Sequence, residues 1–449
     1  MAFYYPPDPA IGAVRVGALA KHLTAKGHNV HVLSSARRDL ALNAGGAARV
    51  NWRETRSLRV VTSRIEGASQ EQLNHSSQPK FNSTLRTSWL RNSWIYSIWK
   101  GIRTQGSFAW RVNRKFRAEL IEFPDGAVGW IKPAIAIGTK IARTEGIELV
   151  LASGPPFSAF LVSKKIAGRL DIPWVADYRD LWTYGDYYPN FEIRRKIDRR
   201  LENRLLRSAK LVTTVSDVLT DEMTQIFRGN IETIHNGADE WDSTPLSGRQ
   251  PLSGARVNLV YVGSELYEGK RSPELLFQAA MGLGLTLSDI RFHFVGGQGG
   301  EFQTSMEALA NSYNVADLIE FTSLMPRAEC MEVQSRADAL MLLLWNDPRD
   351  AGTLSGKIFE YIAVNRPIVM IGYPDGEASK LIKKYSLGWV ISNEAGAKEF
   401  LEELLNRKTS SALEPDIPIG RTQDLSREKS LAKWETALFK IQITPMDHN

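Results

Sequence analysis

Cysteine is almost missing from this chain, which carries a single thiol, Cys330, among 449 residues. One cysteine cannot form an internal disulfide, and such a chain is typical of a reducing compartment. Long apolar runs are missing too, since no stretch of eighteen or more apolar residues predicts a transmembrane helix. The N-terminus lacks a charged region followed by an apolar one, so we expect no signal peptide and a cytoplasmic protein.

Motifs for metal binding and for nucleophilic catalysis are also absent. No HExxH, EF-hand or paired cysteine–histidine spacing occurs, and these are common signatures of zinc and calcium sites. The seven histidines are scattered, and His22, His28 and His31 lie in or beside the first predicted helix and strand, which favours structural roles. No GxSxG elbow marks a serine nucleophile. We therefore expect neither a metal nor a bound cofactor.

What remains is an ordinary globular composition with a basic balance. Hydrophobic residues make up 43% of the chain and charged residues 24%. A chain of 449 residues exceeds one ordinary core, so two domains are expected. The formal net charge is +6. This excess favours anionic ligands, but it does not choose between nucleotides, lipid headgroups and nucleic acid.

Short apolar runs alternate with helix-like segments, which is typical of a parallel sheet covered by helices on both faces. Glu148–Ser153 is predicted as a strand, Phe157–Leu170 as a helix and Trp174–Ala176 as the next strand. The pattern restarts at Asn258–Val262. The predicted fold is α/β, with two Rossmann-like, doubly wound domains facing each other across a cleft. The predicted bounds are 1–240, a linker at 241–256, 257–425, and a C-terminal helix and tail at 426–449 that can cross back to the first domain.

Three segments of the first half carry less regular patterns. Only Ala2–Tyr5 precede the first prolines, so the first strand is either very short or begins before the recorded start. Residues 35–80 are polar and predict a loop. Residues 81–120 are basic and rich in tryptophan, and apolar residues recur every four positions over Leu90–Ile102. This amphipathic helix either packs on its own domain or meets an anionic lipid surface.

The stretch DAGTLSGKIFEYIA, residues 350–363, places small residues and a lysine at the start of a predicted helix. Unpaired N–H groups at a helix start attract anions, and two hydroxyl groups and Lys357 add donors. The stretch therefore predicts a seat for phosphate, to which Lys270 adds a second charge. Glu360, one turn inside the helix, can accept hydrogen bonds from ribose hydroxyls. The alternative is an ordinary N-cap with a surface lysine.

A second informative stretch, Asp177-Tyr-Arg-Asp-Leu-Trp182, follows a predicted strand. Ligands of open α/β sheets bind at the carboxyl ends of the strands, so this stretch lies at the edge of the predicted cleft. Its two carboxylates, on Asp177 and Asp180, flank Arg179 and could orient sugar hydroxyls or move a proton. The alternative is a local ion pair, with Trp182 as a packing anchor.

These residues resemble those of the GT-B-fold glycosyltransferases of family 4, group 1. The resemblance runs almost end to end, and its most specific pieces are SGPPFS, ADYRDLW and GTLSGKIFEYIA, in this order. The segments TTVSDVL, IHNGAD and LVYVGSELYEGKRSPELL agree with it. The chain is most similar to the bacterial branch that builds exopolysaccharide, capsule and lipopolysaccharide. The resemblance implies an acceptor domain at 1–240 and a nucleotide-sugar donor domain at 257–425.

The resemblance also implies transfer of a sugar from a nucleotide-sugar, with retention of configuration, to a cell-surface glycan or lipid-linked precursor. It implies no metal and no cofactor, because helix N-termini and basic side chains hold the leaving diphosphate, whose stabilisation would be the main catalytic effect. The implied catalytic residues are Lys270, Asp177 and Arg179. The implied donor-binding residues are Gly12, Gly263, Ser264, Lys270, Thr353, Leu354, Ser355, Gly356, Lys357 and Glu360. The implied acceptor-binding residues are Arg15, Asp180 and Trp182.

Three positions depart from the family pattern. Gly352 stands where the first of two glutamates spaced eight apart belongs, Ser264 replaces an arginine, and Ser153-Gly154 replaces a histidine. These departures keep open the alternative of a nucleotide-sugar-binding protein with altered catalysis. A nucleotide-sugar 2-epimerase-like enzyme is a second alternative, because it can use the same two-domain fold. Nucleic acid is not an expected partner, since the basic segment lacks a recognition motif. Peripheral contact of residues 81–120 with the inner membrane face stays open.

Overall fold

The computed structural model describes residues 1–6, 11–35, 58–63, 122–185, 188, 190–240, 252, 254–263, 270–409 and 422–443. The basic segment 81–120, most of the predicted linker 241–256, and Ser264 lie outside these residues. Within residues 35–80, which are predicted to contain a loop, the structure describes only residue 35 and the strand at residues 58–63. The predicted loop therefore lies outside the described residues.

The first half of the chain alternates strands and helices, as its sequence pattern predicts. Its elements are α1 (Ile11–Ala25), β1 (Val30–Ser35), β2 (Leu58–Ser63), α2 (Val128–Thr144), β3 (Val150–Gly154), α3 (Ser158–Leu170), β4 (Trp174–Tyr178), α4 (Glu192–Leu206), β5 (Leu211–Thr214), α5 (Asp217–Ile226) and β6 (Ile231–Thr233). Four strands form a parallel sheet in the order β3-β4-β5-β6, and β1 pairs antiparallel with β2.

The first three residues join these two sheets. Ala2 forms a parallel bridge with Ser153 at the end of β3. On the other side, the amide of Ala2 donates to Leu33 of β1, and the amide of Ser35 donates to Phe3. Residues 1–3 therefore act as a very short strand between β1 and β3.

The second half of the chain repeats the design. Its elements are β7 (Val257–Val262), α6 (Glu274–Gly282), β8 (Ile290–Val295), α7 (Gly300–Ser312), β9 (Ile319–Thr322), α8 (Arg327–Ser335), β10 (Ala339–Leu343), α9 (Gly356–Ala363), β11 (Ile368–Ile371), α10 (Glu377–Tyr385), β12 (Gly388–Ile391), α11 (Glu394–Thr409) and α12 (Arg427–Ile443), with 3-10 turns at Ala316–Leu318, Pro348–Asp350 and Gln423–Leu425. The six strands are parallel, in the order β9-β8-β7-β10-β11-β12.

Strands β10 and β11 of the second sheet are apolar along their length, as expected where helices cover both faces of a sheet. All five residues of β10 are buried, and so are all four of β11. The helix α9 shows the matching pattern. Its apolar side chains Ile358, Phe359, Tyr361 and Ile362 are buried against the sheet, so Glu360 is left on the opposite, half-exposed side.

The last helix, α12, returns to the first half of the chain. Trp434 is 2% exposed and packs in a cluster with Leu19 of α1, Val175 of β4 and Leu211 of β5. Just before α12 the backbone pairs with the end of the first half, since the amide of Ala238 donates to Leu425 and the amide of Arg427 donates to Ala238. The chain therefore crosses between the two sheets twice.

The strand order fixes where a ligand can bind. In the second sheet the order reverses between β7 and β10, and ligands of such sheets bind beyond the carboxyl ends of the strands at that point. The corresponding reversal in the first half lies between residues 1–3 and β3. The loops at these two positions begin at Gly263, at Leu344, at Tyr4 and at Pro155.

The structure confirms the predicted α/β class with parallel, Rossmann-like sheets. Across the described part of the chain, no helix combines the length and apolar character needed to cross a membrane.

Candidate active site

Lys357 and Gly263 meet at the strand reversal of the second sheet. The ammonium Nζ of Lys357 donates to the hydroxyl of Tyr261 at 3.0 Å and lies 4.2 Å from the centre of its ring. A Cβ placed on Gly263 would lie 2.8 Å from this Nζ, and Gly263 has φ +148°, where side chains are strained. A glycine is therefore needed for the lysine to reach across the end of β7.

The stretch before α9 is ordered by its own side chains. Ser355 is the N-cap of α9, and its hydroxyl accepts from the amide of Lys357 at 3.4 Å. The hydroxyl of Thr353 donates to Asp350 at 2.7 Å, and the other carboxylate oxygen of Asp350 accepts from the amide of Trp345 at 3.1 Å. Ser355 therefore acts as an ordinary N-cap, as the alternative interpretation predicts. The same stretch also holds Lys357 at the strand reversal.

Glu360 belongs to a chain of ion pairs that crosses between the domains. Nε of Arg327 donates to Glu360 Oε1 at 3.3 Å, and its Nη2 donates to Asp239 Oδ2 at 3.3 Å. Nη2 of Arg427 donates to the same oxygen of Asp239 at 3.2 Å. Exposed ion pairs of this kind contribute about 0–1 kcal/mol. Arg327 can therefore release the carboxylate of Glu360 to a ligand at small cost.

A pocket lies between the two halves of the chain at this point. Val14 and Arg15 line it from α1, and Gly356, Phe359 and Glu360 line it from α9. The start of α9 therefore faces the first half of the chain across the gap.

Lys270, the second predicted phosphate ligand, lies over Trp345. Its Nζ is 4.3 Å from the centre of the Trp345 ring, which is a cation–π contact. Trp345 follows β10, so Lys270 lies at the same end of the second sheet as Lys357.

On the opposite side of the gap, Asp177 and Arg15 form a buried, two-pronged ion pair. Nη2 and Nε of Arg15 donate to the two carboxylate oxygens at 2.9 and 3.1 Å. The hydroxyl groups of Ser153 and Thr213 donate to the same carboxylate at 2.7 and 2.8 Å. Burial by itself raises the pKa of Asp177, but Arg15 and the hydroxyl donors outweigh it and hold that pKa below its ordinary value.

The four donors occupy both oxygens of Asp177, which is 1% exposed. Its contacts therefore favour a positioning role, in which Asp177 holds Arg15 at the mouth of the pocket. Arg15 also donates to the side chain of Asn236 at 3.1 Å and lies 5.4 Å from the ring of Trp434. The catalytic role of Asp177 stays a prediction.

Arg179 packs directly on Gly12 at the start of α1. Its backbone amide and its Nε both donate to the carbonyl of Gly154, at 3.0 and 3.2 Å, and its Nη2 donates to the carbonyl of Pro155. A Cβ on Gly12 would lie 1.3 Å from Nη1 of Arg179. The predicted pair Gly12 and Arg179 is thus in van der Waals contact at the strand reversal of the first half.

This contact gives a testable expectation for Gly12→Ala. The new methyl group collides with a guanidinium that two hydrogen bonds hold in place, so the free energy of unfolding should fall by about 1–3 kcal/mol, as measured by chemical denaturation. Gly168→Ala is the matched control, because no atom lies within 4 Å of its Cβ position in α3. It should raise stability by up to about 1 kcal/mol. Equal stability of the two variants would contradict the contact.

Of the other predicted residues, two are buried and one is exposed. Trp182 is 5% exposed and stacks on Phe157 with ring centres 4.9 Å apart, which favours the packing-anchor alternative. Leu354 is buried in the core of the second half. Asp180 is exposed. Their binding roles stay predictions.

Gly352, which stands in place of the family's first glutamate, touches the first half of the chain. Its carbonyl accepts from the hydroxyl of Ser216 at 2.8 Å. A Cβ on Gly352 would lie 2.9 Å from Cδ2 of Leu219 and 3.3 Å from Cγ1 of Val218. The space that a larger side chain would need is therefore filled by the start of α5.

Sequence reasoning missed several residues around the pocket, chiefly Tyr261, Arg327, Asp239, Arg427 and Asn236. Asn236 stands inside the IHNGAD segment, which was a usable signal. Arg327, by contrast, pairs with partners 33 and 88 residues away, and no local pattern encodes such distances.

The comparisons with known proteins agree with this arrangement. The profile of the glycosyl transferase 4-like domain matches residues 12–237. Sucrose-phosphate synthase from Thermosynechococcus elongatus has a similar structure, with a TM-score of 0.53 and 14% identity over 69% of this chain and 77% of that one. HepE from Anabaena, in complex with UDP, gives a TM-score of 0.52 and 16% identity over 70% of this chain and 84% of that one. No curated protein sequence matches the chain significantly.

The two structural likenesses show a shared GT-B fold, with two Rossmann-like sheets on either side of a gap. The matched profile spans just over half of the chain. The chain belongs to the glycosyl transferase 4-like family, and it is a glycosyltransferase. This confirms the family and the enzyme class that the sequence predicts, whereas the bacterial polysaccharide branch stays a prediction.

Proposed function

We propose that this enzyme transfers a sugar from a nucleoside diphosphate sugar to a cell-surface glycan or lipid-linked precursor, with retention of configuration. The observation that carries the proposal is the position of Lys357. Its ammonium group lies against Gly263 at the strand reversal of the second sheet, where ligands of such folds bind. The HepE structures with UDP and with UDP-glucose support a nucleotide-sugar as the donor.

In this proposal the second half of the chain binds the donor. Lys357 and Lys270 face the diphosphate, and the carboxylate of Glu360 leaves Arg327 and accepts hydrogen bonds from the ribose. Breaking the bond between the anomeric carbon and the diphosphate oxygen builds negative charge on that oxygen. The two ammonium groups stabilise this charge without a metal, and such stabilisation is often the largest catalytic term.

The first half of the chain supplies the acceptor side. Retention requires the acceptor hydroxyl to enter on the face that the diphosphate leaves. The oxygens of Asp177 are occupied by four donors, so we assign the hydroxyl proton to the departing phosphate oxygen. Arg15 lines this side of the gap, and we assign Arg179, which packs on Gly12, to the same side. The composition of residues 81–120 supports an acceptor held at an anionic membrane surface.

A thermal-shift screen over UDP, GDP, ADP, TDP and CMP tests the donor class. A nucleotide that binds with micromolar affinity should raise the melting temperature by several degrees at millimolar concentration, because ligand binding stabilises the folded state. We expect one or more of the diphosphates to do so and CMP to have the smallest effect. If none of the five raises the melting temperature, the proposed donor class is wrong.

Replacing Glu360 with alanine should weaken the affinity for the active nucleoside diphosphate. A hydrogen bond to a charged group contributes about 1.5–3 kcal/mol, which corresponds to a loss of about 10- to 100-fold in Kd, measured by calorimetric titration. Glu301→Ala, an exposed glutamate on α7, is the matched control and should bind as the wild type does. Equal affinities in both variants would remove Glu360 from the donor site.

A further inference from the structure

Three side chains that can bind a metal converge at the contact between the two halves of the chain. Asp217 is the first residue of α5, His235 follows β6, and Glu377 is the first residue of α10. Nε2 of His235 lies 4.0 Å from Oδ1 of Asp217 and 3.9 Å from Oε1 of Glu377. One ligand atom from each of the three lies within 4.8 Å of the other two.

The imidazole of His235 points an unused nitrogen into this cluster. Its Nε2 atom is buried and has no hydrogen-bond partner among the described residues. An unpaired buried polar atom is costly. In its neutral form, an imidazole offers a lone pair at one ring nitrogen.

The two carboxylates repel each other across the contact. Burial, followed by the charge of Asp217, raises the pKa of Glu377. Two carboxylates and a neutral imidazole together carry the charge that balances a divalent cation.

We propose that Asp217, His235 and Glu377 form a binding site for a divalent transition-metal ion of the zinc class, which joins the two domains. An imidazole nitrogen with two carboxylate oxygens suits zinc, whereas calcium and magnesium prefer all-oxygen sites. Zinc–ligand distances of about 2.0–2.2 Å place tetrahedral ligand atoms about 3.4 Å apart, so the donor atoms need to approach one another by about 0.5–1.5 Å. Water would complete the coordination.

The position of the cluster gives the ion a structural role. The amide of Glu377 donates to the carbonyl of Ala351 at 2.7 Å, and Ser216, next to Asp217, donates to the carbonyl of Gly352 at 2.8 Å. The cluster thus lies beside the stretch that leads into α9. An ion there would hold that stretch against α5 and keep the gap closed, while the diphosphate is bound by lysines elsewhere.

The test is calorimetric titration of the untagged, chelator-treated full chain with zinc chloride, together with cobalt chloride absorption spectra. We expect one zinc ion per chain, a melting temperature raised by several degrees, and cobalt bands of a site with nitrogen and oxygen ligands. His235→Ala, Asp217→Asn and Glu377→Gln should each weaken zinc binding about 100-fold or more. Asp217 and Glu377 come from different halves of the chain. Weaker zinc binding in both of their variants would therefore show that the ion bridges the two halves.

His22→Ala is the matched control, since His22 pairs with Glu435 at 3.1 Å outside the cluster, and it should bind zinc as the wild type does. Melting curves without metal show whether each variant is folded, and the two amide variants preserve side-chain size. The proposal fails if the wild type takes up no stoichiometric zinc. It also fails if all three cluster variants still bind it, because the ion then lies elsewhere.

Discussion

Replacing Lys357 with alanine is expected to lower kcat/KM for sugar transfer by about 100- to 1,000-fold, the usual effect of removing one group that stabilises transition-state charge. Lys357 has the ammonium group that lies against Gly263 at the end of β7, and its contact with Tyr261 orients it. Without it, the departing diphosphate loses its nearest cation in the proposed site. The measurement is the steady-state rate of nucleoside diphosphate release with the donor that the thermal-shift screen identifies.

Two further variants make this result specific. Lys357→Arg keeps the charge but replaces a compact ammonium by a planar group, so its activity should lie between those of the wild type and the alanine variant. Lys210→Ala removes an exposed lysine on the first half of the chain and should be fully active. Wild-type kinetics in Lys357→Ala would show that the diphosphate is bound elsewhere.

Replacing Asp177 with alanine should have the largest effect on stability, a loss of about 3–5 kcal/mol in the free energy of unfolding. The change leaves the buried guanidinium of Arg15 without its partner, and it also removes an acceptor from Ser153 and Thr213. Chemical denaturation of both proteins at neutral pH measures the difference. Asp221→Ala, an exposed aspartate on α5, should change stability by less than about 0.5 kcal/mol.

The pH dependence provides a second check on Asp177. Its pKa is lowered in the folded protein, so its stabilising contribution is fully present above the unfolded value of about 3.9. That contribution is lost as the pH falls below this value and through the lower folded pKa. The stability difference between wild type and Asp177→Ala should therefore shrink in acid. A constant difference, or none at neutral pH, would contradict the buried ion pair.

Most of the fold follows from the sequence because the apolar strands and amphipathic helices alternate so regularly. The strands that escaped prediction are short or poorly marked. β9, Ile319–Thr322, is half-buried at the edge of its sheet, and β2, Leu58–Ser63, stands inside a polar segment. Edge strands of this kind are defined by the partner that they pair with, and a local pattern does not contain that partner.

The local geometry of the candidate site was predictable where the interacting groups are close in sequence. The stretch 353–360 carries its N-cap, its lysine and its carboxylate within two turns, and the structure places Gly356 and Glu360 at the pocket. The partners of those groups were not predictable, because Arg327 and Asp239 come from distant parts of the chain. The burial of Trp182 was also not predictable from the sequence, because an aromatic residue that follows a strand can either contact a ligand or pack in the core.

The return of α12 has a practical consequence for dissecting the enzyme. In a fragment that ends at residue 240, Leu19, Val175 and Leu211 would lose their contact with the indole of Trp434. The fragment would therefore expose an apolar surface, and we expect it to aggregate. Ala238 and Arg427, however, are already joined by a hydrogen bond. Splicing residue 238 directly to residue 427 would therefore remove the second half of the chain and leave the first half with α12 still packed on it.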